Sequence, residues 1–281
     1  MIPGSFDYVR PSSLDEAVTA LREAGDEGKV IAGGQSLLPL LRLRLAYPEV
    51  LIDVGSVPEL HGVRDEGSSL LVGAMTTHYE VIRDPLIREH APLVAAATST
   101  VADPAVRHRG TLGGSLAHAD PAGDLPAVAV AMDAVFVTSS REIPAGEFFA
   151  DYLTSALEPD EVLVGVRLPK AYAGWGFHYE KFHRTAQAWA IVGVACLVDR
   201  SNGGIAGARI GLTNMGSRPV RASAVEEAVA GGAADGEAFR AAAENAAEGT
   251  SPPSDLHGSA DYRRHLAQVL TARALSKAAG A

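Results

Sequence analysis

Ala32-Gly33-Gly34-Gln35-Ser36-Leu37 and Thr111-Leu112-Gly113-Gly114-Ser115-Leu116 decide how this chain is read. Each joins a glycine pair to a hydroxyl side chain. A glycine lacks Cβ, so the backbone can take positive φ and approach a ligand closely. The N–H groups of Gly33, Gly34, Gln35 and Ser36 can then ring an anion, and the start of a following helix adds its positive end. The second stretch repeats the parts, with Thr111 and Ser115 flanking Gly113 and Gly114. Two such loops from distant parts of one chain suggest a clamp on a diphosphate, with a nucleotide on one side and a redox-active group on the other. Neither loop is a Rossmann or Walker A fingerprint, since the third spaced glycine and the Gly-Lys-Ser/Thr are absent. Leu38 stands where a nucleophile elbow needs its last glycine, so Ser36 is not read as a nucleophile.

Around the first loop the pattern is β-loop-α-β. Ser13-Leu14-Asp15-Glu16 reads as a capping box that opens a helix closed by Gly25. A strand over 29–32, containing Val30 and Ile31, runs into the glycine pair. A short helix over 37–45 and a strand over 50–54 follow. Leu70–Gly73 is a strand, Thr77-His78-Tyr79-Glu80 a second capping box, and Pro92–Val101 a helix. Pro126–Met132 is a helix or a buried strand, and 134–138 and 162–168 are strands. Beyond a break near Gly174 the style changes. Three antiparallel strands are expected over 179–182, 190–199 and 205–212, with Asn202-Gly203 as the turn. Alanine-rich helices over 223–229, 236–247 and 261–277 complete the chain. The expected fold class is α+β, with units 1–173 (lobes about 1–56 and 57–173) and 174–281.

Composition narrows the function. The chain has 281 residues, 47% hydrophobic and 21% charged, which is enough to bury a core. A net charge of -10 argues against a nucleic-acid binder. The one cysteine, Cys196, lies in an apolar run and reads as a small core residue; alone it cannot hold an iron–sulfur cluster. No stretch reads as a leader or as a membrane span, so a cytoplasmic protein is expected.

Several side chains near the loops have two readings. Asp120 either caps its own turn or meets a ligand; Asp124 either caps the next helix or accepts from ribose or ribityl hydroxyls. His118 with these two acids could in principle hold a metal, but no cysteine or second nearby histidine supports that, and no metal is expected. Arg107-His108-Arg109, Arg42 and Arg44 either neutralise the diphosphate or form solvated clusters. Lys181 could project from the second unit into the cleft. Trp189 either covers a flat ligand or packs against the sheet.

Together these stretches resemble the flavoprotein (medium) subunit of the molybdenum hydroxylases, in particular the aerobic carbon monoxide dehydrogenase branch of the xanthine dehydrogenase family. The resemblance spans the chain. It starts at Met1-Ile2-Pro3-Gly4-Ser5-Phe6-Asp7-Tyr8 and includes both glycine loops, Ile52-Asp53-Val54, Val72-Gly73-Ala74-Met75-Thr76, Ala102-Asp103-Pro104, Arg109–Asp124, Tyr179-Glu180-Lys181 and Gly211-Leu212-Thr213-Asn214. It implies a two-lobed FAD-binding fold of the vanillyl-alcohol-oxidase type followed by an α+β C-terminal domain. Ala32–Leu37, led by Val30 and Ile31, and Thr111–Ser115 would hold the FAD diphosphate. Ala117, His118 and Asp124 would lie along the ribityl–ribose region, Lys181 would approach the flavin, Trp189 could cover its isoalloxazine, and Ala102 and Leu168 would add contacts. The resemblance also implies a complex with a small [2Fe-2S] subunit and a large molybdopterin subunit, a heterotrimer able to dimerise. Electrons would pass through this chain to a quinone, NAD or dioxygen, with no catalytic side chain here. A stand-alone flavin oxidase or a flavin-holding accessory protein is the alternative. Gln35 replaces a more usual His, Ser115 a more usual Asp or Asn, and Ala186-Gln187-Ala188-Trp189 a segment that is often Gly-Asp-Tyr-Ala.

Overall fold

The computed structural model describes residues 2–280. Met1 and Ala281, the outer ends of the two expected units, lie outside the described residues.

The first lobe is the β-loop-α-β unit with one strand added. Strands β1 (Asp7–Val9), β2 (Gly28–Ile31) and β3 (Val50–Asp53) form a parallel sheet in the order β1-β3-β2. Helices α1 (Leu14–Ala24) and α2 (Leu37–Leu43) make the crossovers. Ala17 and Leu21 of α1 pack on Ile52, Val54 and Leu60. The Ser13 hydroxyl accepts from the Glu16 N–H at 3.2 Å. The return half of the expected capping box is shifted: the Glu16 carboxylate takes the N–H and hydroxyl of Ser12, at 2.7 and 2.8 Å. The β1 strand is too exposed for its pattern to show in sequence.

The second lobe is an antiparallel sheet in the order β4-β5-β10-β6-β7. Its strands are β4 (Val63–Asp65), β5 (Ser69–Gly73), β6 (Val135–Thr138), β7 (Glu142–Pro144) and β10 (Leu163–Pro169), with a small hairpin of β8 (Phe149–Asp151) and β9 (Thr154–Ser155) between the last two. Between β5 and β6 run α3 (His78–Arg83), α4 (Pro85–His90), α5 (Pro92–Ser99), α6 (Pro104–Arg107), α7 (Leu112–Ala117) and α8 (Asp124–Ala131); the single turn α9 (Ala145–Phe148) follows β7. The Thr77 capping box is complete, with Thr77 N–H donating to Glu80 Oε2 at 2.8 Å and Glu80 N–H to Thr77 Oγ1 at 3.2 Å. The expected helix-or-strand over 126–132 is the helix α8. All eight of its residues are buried, as an all-round apolar helix requires.

The last part is a four-stranded antiparallel sheet of β11 (Gly176–Phe182), β12 (Val192–Ser201), β13 (Gly204–Thr213) and β14 (Val220–Arg221). The three expected strands are present; β14, only two residues long, joins them. Asn202 and Gly203 make the turn with φ 53° and 80°. Helices α10 (Ser223–Val229), α11 (Gly236–Ala243) and α12 (Ala260–Ala279) cover this sheet. Cys196 is a fully buried core residue, and burial pushes its thiol well above the ordinary range. Tyr179, Ala195 and Leu197 of this sheet share a core with α8 and the second lobe. Asn214 N–H donates to Pro121 O at 2.8 Å and Thr213 Oγ1 to Gly123 O at 3.2 Å, which ties the end of β13 to the segment before α8. Among the described residues no helix is long and apolar enough to cross a membrane.

Candidate functional site

The two glycine loops, far apart in sequence, touch. Val30 and Ile31 end β2, and Ala32–Ser36 connect it to α2, which Leu37 begins. Gly33 lies against the backbone before the second loop: a Cβ there would sit 2.1 Å from Arg109 O and 2.8 Å from Gly110 Cα. A Cβ on Gly114 would come within 3.3 Å of the Ala32 Cβ. Only residues without side chains permit this approach.

The loops differ in what they offer a ligand. No acceptor among the described residues takes the N–H of Gly33, Gly34, Gln35 or Ser36, and the Ser36 hydroxyl caps nothing. The second loop has spent its N–H groups. Gly113 donates to Ala74 O at 2.9 Å, Gly114 to Thr111 Oγ1 at 3.1 Å and Ser115 to Thr111 O at 3.0 Å. The expectation that both loops present bare N–H groups is therefore corrected: Thr111 takes those of Gly114 and Ser115 as it caps α7, Ala74 takes that of Gly113, and Ala74 also fills the position where a Gly113 side chain would go. What this loop leaves open is the Ser115 hydroxyl. Ala117 ends α7 and His118 is its C-cap.

Of the basic cluster, Arg107 Nη1 donates to Val101 O at 2.8 Å and Ala102 O at 3.2 Å, and His108 stacks on Tyr79 with centroids 4.0 Å apart. These two support the 101–108 bend, in which Ala102 takes φ 43°. Arg109 has no ion-pair partner among the described residues.

Asp124 opens α8 but caps nothing. Its Oδ1 accepts from Tyr179 Oη at 2.7 Å and its Oδ2 from Lys181 Nζ at 2.8 Å. Both partners of the ion pair are 3% exposed at the side chain. Burial raises the Asp124 carboxyl above the ordinary range, against the opposing pull of Lys181. Lys181 Nζ also donates to Thr100 O at 3.1 Å, which leaves one ammonium hydrogen uncommitted. Asp120 caps its own turn by accepting from Ala122 N at 2.9 Å. Among the described residues no group of three or more metal-ligating side chains comes together, so His118, Asp120 and Asp124 do not form the alternative metal set.

Leu168 sits in β10 opposite Leu70 and is buried in the core beneath α7. Trp189 is 53% exposed, which corrects its core-packing reading. It lies in the loop between β11 and β12, which Gln187 fastens to Asp103. The bonds of Lys181 to Thr100 and of Gln187 to Asp103 thus tie β11 and the loop carrying Trp189 to the 100–103 bend. Sequence reasoning missed the role of Tyr179. Its position two residues before Lys181 puts both on one face of β11, the only signal available.

The residues fit a dinucleotide. Four consecutive N–H donors without acceptors lie beside a free serine hydroxyl, backed by a second loop whose own hydrogen bonds are complete. A parallel lobe and an antiparallel lobe meeting at such a pair of loops fit a group that carries a diphosphate.

Residues 4–171 match the family described as the FAD binding domain in molybdopterin dehydrogenase, and residues 177–278 the CO dehydrogenase flavoprotein C-terminal domain. The carbon monoxide dehydrogenase medium chain of Hydrogenophaga pseudoflava is 41% identical over 99% of this chain and 98% of its own length. A solved structure of carbon monoxide dehydrogenase from the same organism, lacking the Mo-pyranopterin moiety of its cofactor, superimposes with a TM-score of 0.96 at 43% identity, covering 99% of this chain and 98% of the other. Quinoline 2-oxidoreductase from Pseudomonas putida 86 gives 0.95 at 36% identity, covering 100% and 99%. The chain belongs to the FAD-binding medium subunits of the molybdenum hydroxylases, a family of oxidoreductase complexes, and its cofactor is FAD.

Proposed function

We propose that this chain is the electron-transfer subunit of a heterotrimer. It stands between the [2Fe-2S] clusters of a small partner and an external acceptor, while a large molybdopterin subunit oxidises the substrate. The observation that carries the site is the unspent N–H row of Gly33–Ser36, held against the second glycine loop. Residues 1–173 would hold the cofactor and 174–281 would close the cleft from the other side with Lys181 and Trp189.

When bound, FAD supplies the redox chemistry. The chain's residues bind and orient it. The N–H groups of Gly33–Ser36 and the hydroxyls of Ser36 and Ser115 donate to the diphosphate, and the start of α7 adds a favourable dipole. Lys181 brings a buried positive charge toward the ring system, held in place by Asp124 and Thr100. Ala102, Ala117 and His118 shape the wall between, Leu168 supports α7 from the core beneath it, and Trp189 offers its exposed indole as a cover. The absence of cluster ligands supports the need for a partner: the sequence has one cysteine, and it is buried. Relatives that share this scaffold are named for carbon monoxide and for quinoline, which supports a substrate site in another subunit.

The test is the visible spectrum of the purified chain and of its complex. A flavin spectrum, FAD identified by mass after release, and iron and molybdenum recovered with the co-produced partners are expected. A colourless chain that takes up no added FAD would refute the reading. So would rapid oxidation of a reductant in air by the lone chain, with no partner retained.

A further inference from the structure

The buried pair at the start of α8 has a third member, whose hydroxyl no packing argument requires. Tyr179 is 6% exposed in the core that β11 shares with α8, where a phenylalanine would fill the same space. Its hydroxyl donates to Asp124 Oδ1 at 2.7 Å, while Lys181 Nζ takes Oδ2 at 2.8 Å. Tyr179 and Lys181 stand on one face of β11, and Gly193 of β12 lies opposite Lys181. A Cβ on Gly193 would sit 2.6 Å from Tyr179 Oη, so the missing side chain is what admits the hydroxyl. Burial and the carboxylate beside it push the phenol well above its ordinary range, which keeps it a donor at every working pH.

A carboxylate cut off from water is held in its charged form by the donors it has. Asp124 has one on each oxygen. Other titratable groups around it are few. His183, just past β11, acts through space and favours the charged form. Helices α5 and α7, packed against α8, carry no ionisable side chain. Arg209 and Arg221, from β13 and β14, pair with Asp133 past the opposite end of α8. Glu147 of α9 is exposed, and Cys196 of β12 belongs to the core on the other face of the sheet.

We infer that Tyr179 is a positioning residue for the flavin's electrostatic surroundings: its hydroxyl keeps Asp124 ionised, so Lys181 meets the ring system as half of a neutral pair and not as a bare positive charge. This rests on the reading above that Lys181 points toward the ring. Near neutral pH, reduced flavin carries one more negative charge than oxidised flavin, so an unbalanced ammonium beside it favours reduction. Tyr179 therefore holds the potential down without touching the cofactor. Thr100 O still accepts from Lys181 when the carboxyl is neutral, which keeps the ammonium charged.

The test is the midpoint potential of FAD on the full chain, titrated at pH 6 and pH 9. Asp124→Asn, a permanently neutral stand-in for the carboxyl, should raise it at both pH values by about 30 mV, a tenfold shift in preference for reduced FAD. Tyr179→Phe should match that rise at pH 6, where its underbonded carboxyl is protonated, and return to the wild-type value at pH 9, where the carboxyl is ionised. The double variant should follow Asp124→Asn alone, because the hydroxyl acts only through the carboxylate. A second readout needs no cofactor: in the FAD-free chain, Tyr179→Phe should lower the thermal midpoint more at pH 8 than at pH 5. If Asp124→Asn shifts the potential and Tyr179→Phe leaves it at the wild-type value at pH 6, this inference alone is overturned. A Tyr179→Phe shift that is equal at both pH values, runs downward, or adds to that of Asp124→Asn also overturns it, as does an equal thermal loss at both pH values. If neither Asp124→Asn nor Lys181→Met moves the potential, Lys181 does not stand beside the ring, and that reading fails together with this one.

Discussion

Removing the ammonium from the Asp124–Lys181 pair, with Lys181→Met, isolates the most buried ion pair among the described residues. Both groups are almost fully buried and 2.8 Å apart. Breaking such a pair by deleting one partner costs about 3–5 kcal/mol, because the other charge stays buried. For a chain of this size, a loss of about 3 kcal/mol lowers the midpoint of thermal unfolding by roughly 5 °C. The loss should depend on pH. Burial already raises the Asp124 carboxyl, and losing Lys181 raises it further. An acid whose folded-state pKa lies above its unfolded value holds extra protons in the folded state. Its destabilising effect is therefore fully present above the folded pKa and fades as pH falls toward the unfolded value, about 4. Thermal unfolding of Lys181→Met should show the larger loss at pH 8 and a smaller one at pH 5. Adding Asp124→Asn should recover much of it. An unchanged midpoint, or an equal loss at both pH values, would refute the buried-pair argument.

Gly33→Ala places a methyl carbon against backbone on the other loop, and overpacking of this kind costs about 1–3 kcal/mol. The variant should stay folded by circular dichroism and bind FAD at least tenfold more weakly in a fluorescence titration. Ser36→Ala removes a hydroxyl that bonds nothing in the chain, so unfolding in urea should be unchanged, while FAD affinity should fall by about 1 kcal/mol, roughly fivefold. Glu161 is buried, which alone would raise its carboxyl, but bonds from Arg141, Ser140 and Thr138 outweigh that and hold it at about 2. Its contribution is present above its ordinary range, about 4.3, and lost as pH falls toward 2. Glu161→Gln should therefore lower stability at neutral pH and flatten the acid limb of the unfolding curve between pH 4.5 and 2.

Local signals carried much of this structure. Glycine pairs, capping residues and apolar periodicity place β2, α2, β3, α3, α5 and the β12–β13 hairpin, because each is set by neighbours within a few residues. What depends on distant partners was hidden. That Gly33 meets Arg109 follows from packing between lobes, not from either loop's composition. The spent N–H groups of Gly113–Ser115 follow from Thr111 and Ala74, and local sequence shows only the first. Asp124 looked like a cap or a ligand; Tyr179 and Lys181, from a strand in the other half of the chain, take both its oxygens. The short strands β1 and β14 bury too little to leave a pattern, and Trp189 looks the same in sequence whether it is core or cover.

The most direct measurement is the position of the diphosphate in a structure of the FAD-loaded protein. Its oxygens should lie about 3 Å from the N–H groups of Gly33, Gly34, Gln35 and Ser36. A diphosphate held by other residues, with those four donors facing solvent, would contradict the account.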